Sequence, residues 1–167
     1  MNPVLKKVAL FVRDLLVYNE QLIKIGRQNS TITDFDIGYI GVDTLGQSTR
    51  LATGEKYNGT TEVMTHSQKW TAPIVLSFYG DGAWDRAANF GLLVKSQAAY
   101  ELQQTLEIGI YQISNLTDVK ILTGQEYGER VEVNFNVHYA VSIDVDILRI
   151  DEAQLDIISE KGQEFTQ

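Results

Sequence analysis

The chain has 167 residues, of which 22 are acidic and 14 basic, so its formal net charge is −8, and 44% of its residues are hydrophobic. This composition is typical of a globular domain, and a chain of this length can bury a sizeable core. The absence of cysteine excludes disulfides, thiolate catalysis and cysteine-based zinc sites. The acidic excess also argues against a protein that grips nucleic-acid phosphates, which requires a basic surface.

The N-terminal stretch has the pattern of a helix. Pro3 fits the first turn, and the apolar residues that follow recur at helical spacing, which predicts a helix over 3–17. Arg13 and Asp14 interrupt the apolar stretch, so it is too short and too charged to span a bilayer, and no cleavage site follows it that would indicate a signal peptide. We expect one domain over 1–150 and a flexible acidic tail over 151–167.

A loop, a strand and a hairpin are predicted next. Residues 26–36 are polar and indicate a loop, and residues 36–43 have β character. The pair Asn58-Gly59 favours a two-residue type I′ turn, so the flanking runs 50–57 and 60–68 can pair across it. Their side chains are mostly polar, which indicates a hairpin that is peripheral or covered by a partner.

A hydrophobic strand over 71–79 leads into the turn Gly80-Asp81-Gly82, where Asp81 can cap a following helix. An apolar stripe then predicts one helix of about six turns, with Gly109 as the residue just past its C-terminal end. The stripe consists of Ala87, Phe90, Val94, Ala98, Leu102 and Leu106.

Short strands over 110–116 and 119–122 precede the most unusual segment of the chain. From Val131 to Ile147 the odd positions are apolar and almost all even positions are polar, which predicts one half-buried strand. Such a strand would be about 55 Å long at roughly 3.3 Å per residue, so it must bend, change sheet or project from the body. The predicted fold class is therefore α+β: a mixed, mainly antiparallel sheet packed against one long helix and an N-terminal helix, with a protruding β-hairpin.

Catalytic motifs are hard to find. His66 and His138 are far apart in sequence and belong to no metal-binding motif. The Gly80-Asp81-Gly82 turn has the context of a dinucleotide-binding loop, but Asp85 stands where the third glycine belongs. We expect no catalytic, cofactor-binding or metal site. A metal-dependent hydrolase that uses Asp81 and Asp85 is the weakest alternative.

Carboxylates and aromatic residues leave two further alternatives open. The acidic residues Glu126, Glu129, Glu132, Asp144 and Asp146 could form acid–base pairs, although a solvated face is the simpler interpretation. Core packing is the simpler interpretation for Trp70, Phe78, Tyr79 and Trp84, with an interface anchor as the alternative.

The order of elements from the central strand onward resembles the phage neck or tail-terminator proteins, which join the head and tail of tailed bacteriophages. The likeness covers residues 35–147 and rests on a strand running into Phe78-Tyr79-Gly80-Asp81-Gly82-Ala83, a helix ending near Gly109, and Glu126-Tyr127-Gly128-Glu129-Arg130 before a long alternating strand.

This resemblance implies a non-enzymatic virion protein, made in the bacterial host cytoplasm. Such a protein forms a homo-oligomeric ring, typically a hexamer, that caps the tail tube and contacts the head connector, with DNA passing through the lumen and no membrane involved. Since the long strand could add to a neighbouring subunit's sheet, we expect interface residues at its apolar positions, at the hairpin and at Arg130. These are Tyr57, Asn58, Arg130, Val137, Tyr139, Val141, Ile143 and Val145. The alternative function is a small ligand- or protein-binding α/β module without catalytic activity.

Overall fold

The structure is a computed structural model that describes residues 3–26, 38–119, 121–123 and 126–146, of which 121–123, 126 and 127 are described for their backbone alone. The predicted acidic tail and almost all of the predicted loop over 26–36 lie outside the described residues. A single-turn 3-10 helix at Glu20–Leu22 follows the first helix. The other elements, in chain order, are α1 (Pro3–Leu16), β1 (Ile23–Ile25), β2 (Tyr39–Thr44), β3 (Thr49–Asn58), β4 (Val63–Tyr79), α2 (Ala83–Leu93), α3 (Gln97–Leu106), β5 (Ile108–Tyr111), β6 (Thr117–Asp118), β7 (Ile121–Thr123), β8 (Glu126–Gly128) and β9 (Arg130–Asp146).

Seven of these strands form one sheet with the order β1-β2-β4-β9-β5, in which β3 pairs with β4 and β6 pairs with β9. The β1–β2 pair is parallel and the other pairs are antiparallel. The α+β class and the mixed sheet are therefore confirmed. Strands β7 and β8 pair separately. None of the helices in the described ranges has the length and apolar character needed to cross a bilayer.

The core lies between the helices and one face of the sheet. Helix α1 buries one side, as its spacing predicted, and alternate residues of β2, β4 and β9 face it. Each large apolar side chain removed from water in this way contributes about 1.5–3 kcal/mol. The largest side chains with almost no exposure include Phe11, Ile40, Ile74, Leu76, Phe78, Phe90, Val133 and Val137.

The predicted single helix is wrong, because two helices occupy that stretch. Helix α2 ends at Leu93, and Ser96 caps α3 by accepting a hydrogen bond from the Ala99 amide at 3.2 Å. The serine hydroxyl replaces an intrahelical partner at the break, which favours a new helix start there. The break also shifts the buried stripe by one residue, since Ala98 is exposed and Ala99 is buried.

The predicted helix caps at Asp81 and Gly109 are also wrong. Gly82 occupies the N-cap position of α2 without a side-chain cap, and Glu107 is the left-handed residue that ends α3. Gly109 lies instead in β5, opposite His138. Gly80 and Gly82 do form the predicted turn, with φ of 79° and 73°, a region that strongly favours glycine.

The turn is stabilised by Arg86 and not by an aspartate cap. The Arg86 guanidinium donates hydrogen bonds to the carbonyl oxygens of Tyr79 and Asp81 at 2.7 Å and of Gly80 at 3.2 Å. Gly38 packs so closely against this guanidinium that a Cβ atom at Gly38 would stand 2.6 Å from Arg86 Nη2. The guanidinium thus ties the start of α2 to the chain entering β2.

The predicted type I′ turn at Asn58-Gly59 is not formed. Asn58 pairs with Val63, so the loop contains four residues, and its left-handed residue is Glu62 with φ of 54°. The side-chain oxygen of Asn58 accepts a hydrogen bond from the Thr60 amide at 3.1 Å. This local bond favours a wider loop over the tight turn.

On the sheet face away from the helices, two tyrosines and an arginine stack. The rings of Tyr39 and Tyr79 are parallel with centroids 4.2 Å apart, and the Arg130 guanidinium lies 5.2 Å from the centre of the Tyr79 ring. Arg130 also forms an ion pair with Glu132 and a 3.4 Å hydrogen bond with the hydroxyl of buried Ser77. Burial, with a smaller effect from Tyr79, raises the pKa of Tyr39 to about 12.

We expect Gly38→Ala to lower the free energy of unfolding by about 1–3 kcal/mol, because the added methyl group must displace a guanidinium held by three carbonyls. Urea denaturation of Gly38→Ala, Arg86→Ala and the double variant measures this. The loss caused by Gly38→Ala should largely disappear in the Arg86→Ala background, and an equal loss in both backgrounds would contradict the packing described. Gly46→Ala is the matched control, since its Cβ would meet only Pro73 Cγ at 3.9 Å.

Ionisation of Tyr39 should destabilise the fold at high pH. The folded pKa of Tyr39 is raised above the usual 10. The contribution of its neutral phenol to the free energy of unfolding is therefore intact below about pH 10 and is lost as the pH rises toward about 12. Denaturation curves of the wild type and of Tyr39→Phe over this range provide the test. The variant should lose less stability than the wild type, whereas parallel losses would mean that Tyr39 ionises without penalty.

Candidate functional site

Three strands continue beyond the helices as a sheet that we call the arm. The arm consists of β3, residues 63–71 of β4 and residues 138–146 of β9. Strands β4 and β9 pair without a register shift from Val63↔Asp146 to Tyr79↔Arg130, so the arm is a direct continuation of the central pair of the body. The long strand therefore stays within one sheet, and its side chains after Val137 are half-buried or exposed.

One face of the arm carries a row of exposed apolar side chains, together with the polar side chains of Glu55, His66 and Gln68. Tyr57, Val141, Ile143 and Val145 lie on this face, with Met64 paired to Val145. They share the strand parity of the core residues, but the helices do not reach them, and Ile143 is 65% exposed. Exposed apolar side chains grouped on one sheet face are typical of surfaces that bind another molecule.

The opposite face of the arm is mainly polar, with Lys56, Lys69 and His138 among its side chains. Thr65 donates a hydrogen bond to Asp144 at 2.7 Å, and the Ser67 hydroxyl donates to the Gly54 carbonyl at 3.2 Å. Ser142 and Asp146 lie on the same face. The arm is therefore amphipathic, with each strand contributing to both faces.

Within the described ranges, the last part of β9 has a neighbour on one side alone. Strand β5 pairs with residues 136–139 of β9 and β6 with residues 131–132, whereas residues 140–146 pair with β4 alone. The backbone N–H and C=O groups along this edge can accept a strand from another chain.

A groove of about 580 Å³ lies where the arm joins the body, and we call it the root groove. Leu51 in β3, Trp70 in β4 and Tyr139 in β9 contribute from the arm, and Tyr100 and Ile108 contribute from α3 and β5. Leu51 and Tyr100 are more than half exposed. The lining is mainly apolar, and its residues include the oppositely charged types Lys69 and Glu107.

A second exposed apolar patch follows one side of α2. Trp84, Ala88 and Leu92 recur at four-residue intervals and form what we call the α2 ridge. Trp84 is 49% exposed and Leu92 is 76% exposed. Of the aromatic residues for which core packing was the simpler interpretation, Phe78 is buried, whereas Trp84 stands on the surface.

The structure separates the predicted interface residues into two sets. Tyr57, Val141, Ile143 and Val145 share the apolar face of the arm, and half-buried Tyr139 lines the root groove. The second set comprises Asn58, Arg130 and Val137. Val137 is fully buried in the core, Arg130 is engaged by Glu132 on the other face of the body, and Asn58 closes its own loop.

The sequence pattern did not single out Leu51, Leu92 or Tyr100. Each lies outside the apolar periodicity of its element, so their exposure became visible only after the elements were placed together. Leu51 lies at an irregularity in the pairing of β3 with β4, where the register shifts between Arg50 and Ala52.

The groups considered for chemistry have structural partners or are exposed. His66 lies 3.3 Å from Glu55 on the arm, and the His138 ring stacks on Tyr111 with centroids 4.0 Å apart. The Glu126 side chain lies outside the described part. In the ranges that the structure describes, no three histidine or acidic side chains are grouped so that they could hold a metal ion.

A protein-family model described as "Phage neck terminator protein" matches residues 2–161. No curated protein sequence matches the chain. The family match runs past residue 150, where the sequence pattern predicted the domain to end.

The burial of β9 predicts losses of stability of very different size at two positions of the same strand parity. Val137→Asp buries an unpaired carboxylate and should cost about 3 kcal/mol or more of unfolding free energy. Ile143→Asp places the same group on an exposed face and should cost about 1 kcal/mol at most. Chemical denaturation measures both, and a large loss for Ile143→Asp in the isolated chain would show that the arm face is covered from within.

Proposed function

The chain belongs to the phage neck terminator family, and we propose that it is a structural virion subunit that assembles through its arm into a ring at the end of the phage tail. The observation that carries this proposal is the uncovered apolar face of the arm, which continues the core parity of β9 past the helices. An amphipathic arm that leaves its apolar face in water is stabilised when a second subunit covers it.

Two properties of the arm support contact with a neighbouring subunit. Its apolar face supplies the buried area, and the edge at residues 140–146 supplies main-chain hydrogen bonds to an incoming strand. Tyr57 near the tip and Ile143 along the strand are the side chains that we expect at the centre of the contact, with Val141 and Val145 beside them.

The arm also favours a ring over a two-fold dimer. An arm that projects from one side of the body contacts a different surface on the next copy, and such head-to-tail contacts close into a ring when the rotation permits. We propose six subunits, as the family resemblance implies. The ring caps the tail tube and contacts the head connector, so its protein partners are the tail tube protein and the neck proteins.

The charge of the chain suits a passage for DNA. A net charge of −8 repels phosphates, so DNA can slide through a ring of such subunits without adhering to it. DNA is then a transient and non-specific partner. The subunit is made in the host cytoplasm and acts in the virion by assembly, without catalysis.

Size-exclusion chromatography with light scattering, on the protein alone and mixed with tail tubes that lack a terminator, tests this proposal. We expect a ring-sized species in one or both samples. Ile143→Asp should abolish it while the isolated chain stays folded, because a carboxylate on the apolar face must be desolvated in the contact.

Ser142→Asp is the matched control, since it places the same charge on the next residue but on the polar face of the arm. It should assemble as the wild type does. A wild-type protein that stays monomeric in both samples, or an Ile143→Asp variant that assembles normally, would overturn the proposal.

A further inference from the structure

We infer that the strand received at the free edge of β9 is β3 of the next copy of this chain, so that the arms join edge to edge into one sheet around the ring. This inference rests on the proposed assembly and names the two strands that meet. The arm has β4 at its centre, with β3 on one side and residues 140–146 of β9 on the other. Within the described ranges, neither outer strand has a second neighbour there, and both are exposed throughout.

The edge of β9 presents the backbone groups of its even-numbered residues. Asn134 donates its N–H to the Ser114 hydroxyl at 2.9 Å and accepts from the Ser114 amide at 2.7 Å. Ser114 lies between β5 and β6, on the side of β9 away from β4. Because these directions alternate along a strand that pairs without a shift, the N–H and C=O groups of Ser142 and Asp144 also point away from β4.

The edge of β3 presents the backbone groups of residues at alternate positions. The Leu45 amide donates to the Pro73 carbonyl at 3.0 Å, so odd positions of β4 face the side on which β2 and β3 lie. Their partners in β3, which include Gly54 and Lys56, face β4 in return, and Glu55 between them faces outward. Each arm therefore has two different free edges, as a head-to-tail contact requires.

The symmetry of a ring sets the direction of this pairing. Strands β3 and β9 each run antiparallel to β4, so they are parallel to each other, and rotation about the ring axis leaves β3 of the next copy parallel to β9. Parallel pairing keeps the apolar faces of both arms on one side. Tyr57 of one copy then joins the row of Ile143 and Val145 of the other, and aromatic side chains stabilise a sheet when they lie beside β-branched ones.

Charges on the polar face favour β3 as the partner. Lys56 lies on this face at the β3 edge, and Asp144 and Asp146 lie on it at the β9 edge. Within the part of the chain that the structure describes, Lys56 and Asp146 form no ion pair. Pairing with no stagger, or with a stagger of two residues either way, keeps the faces aligned and leaves Lys56 level with or diagonal to one of these aspartates.

Pairing of two β9 edges is the alternative, and like charges oppose it. If two copies pair over residues 140–146 about a two-fold axis, four aspartates lie on one face and the two Asp144 side chains are diagonal to each other. These seven residues contain no cation that could compensate the charge. The β3 edge supplies one in Lys56.

Disulfide trapping tests the pairing, and the cysteine-free chain gives no background. Glu55→Cys is combined in turn with Val141→Cys, Ile143→Cys and Val145→Cys, one for each of the three staggers. Within one subunit β4 separates these positions by about 10 Å or more, which is beyond the reach of a disulfide. Under mild oxidation with tail tubes present, we expect one of the double variants to give a ladder of species up to the full ring on a non-reducing gel.

The single cysteine variants are the matched controls and should run as monomers. Dimers from Ile143→Cys alone would show that two β9 edges pair with each other, and would overturn the inference. The absence of a ladder from all three double variants would overturn it as well.

A backbone substitution gives a second readout in the double variant that forms the ladder. Ser142→Pro removes an N–H at the free edge and leaves the hydrogen bonds to β4 in place, so it should abolish the ladder while circular dichroism shows a folded chain. Ser142→Ala keeps this N–H, so the difference between the two variants measures the backbone contact. Equal cross-linking by both would contradict the pairing.

A charge exchange in the same background gives a third readout. Lys56→Glu should reduce cross-linking about three- to tenfold, and Asp144→Lys/Asp146→Lys in the same chain should restore it. Lys69→Glu is the control, since it makes the same charge change on the same face but on the central strand β4. A loss as large for Lys69→Glu, or no rescue by the two lysines, would contradict the contact between these edges.

Two further outcomes separate this inference from the proposed function. Wild-type ring formation that is sensitive to Ile143→Asp, with no ladder from any cysteine pair, would remove the edge-to-edge pairing and leave the proposed function standing. Failure of the wild type to assemble at all would remove both.

Discussion

The unbroken pairing of β4 with β9 sets the geometry of the whole molecule. Seventeen residues of each strand pair without a shift, and the helices cover the sheet along only part of that length. Because side chains alternate along a strand, the face that forms the core at Val133 and Phe135 becomes the face in solvent at Ile143. Core and candidate interface are therefore one surface, divided by the point where the helices end.

Much of the strand content could be predicted because alternation is a local property. The long alternating strand and the N-terminal helix were found within a residue or two of their observed bounds. The helix break could not be found in this way, since the apolar spacing continues across Ser96 and the new cap depends on a single hydroxyl. Burial of half of β9 but not the other half depends on where distant helices pack, which no local pattern reports.

The residues of the candidate site likewise divide into those that a local pattern predicts and those that it does not. Residues on the long strand were identified from their parity, which gave Val141, Ile143 and Val145 and also the buried Val137. Arg130 was predicted to lie at the interface, and within the subunit it forms an ion pair with Glu132, two residues away in the same strand. The root groove is formed by residues from five elements, so its apolar members carry no common sequence signal.

The continuous central ladder also has a mechanical consequence. A pull on the arm along the strand direction loads the hydrogen bonds between β4 and β9 in shear, so that many must rupture together instead of opening one after another. Strands without a break also provide no hinge between the tip and the body. Strain on the arm is thus carried into the core and as far as the stacked ring of Tyr79, at the far end of β4.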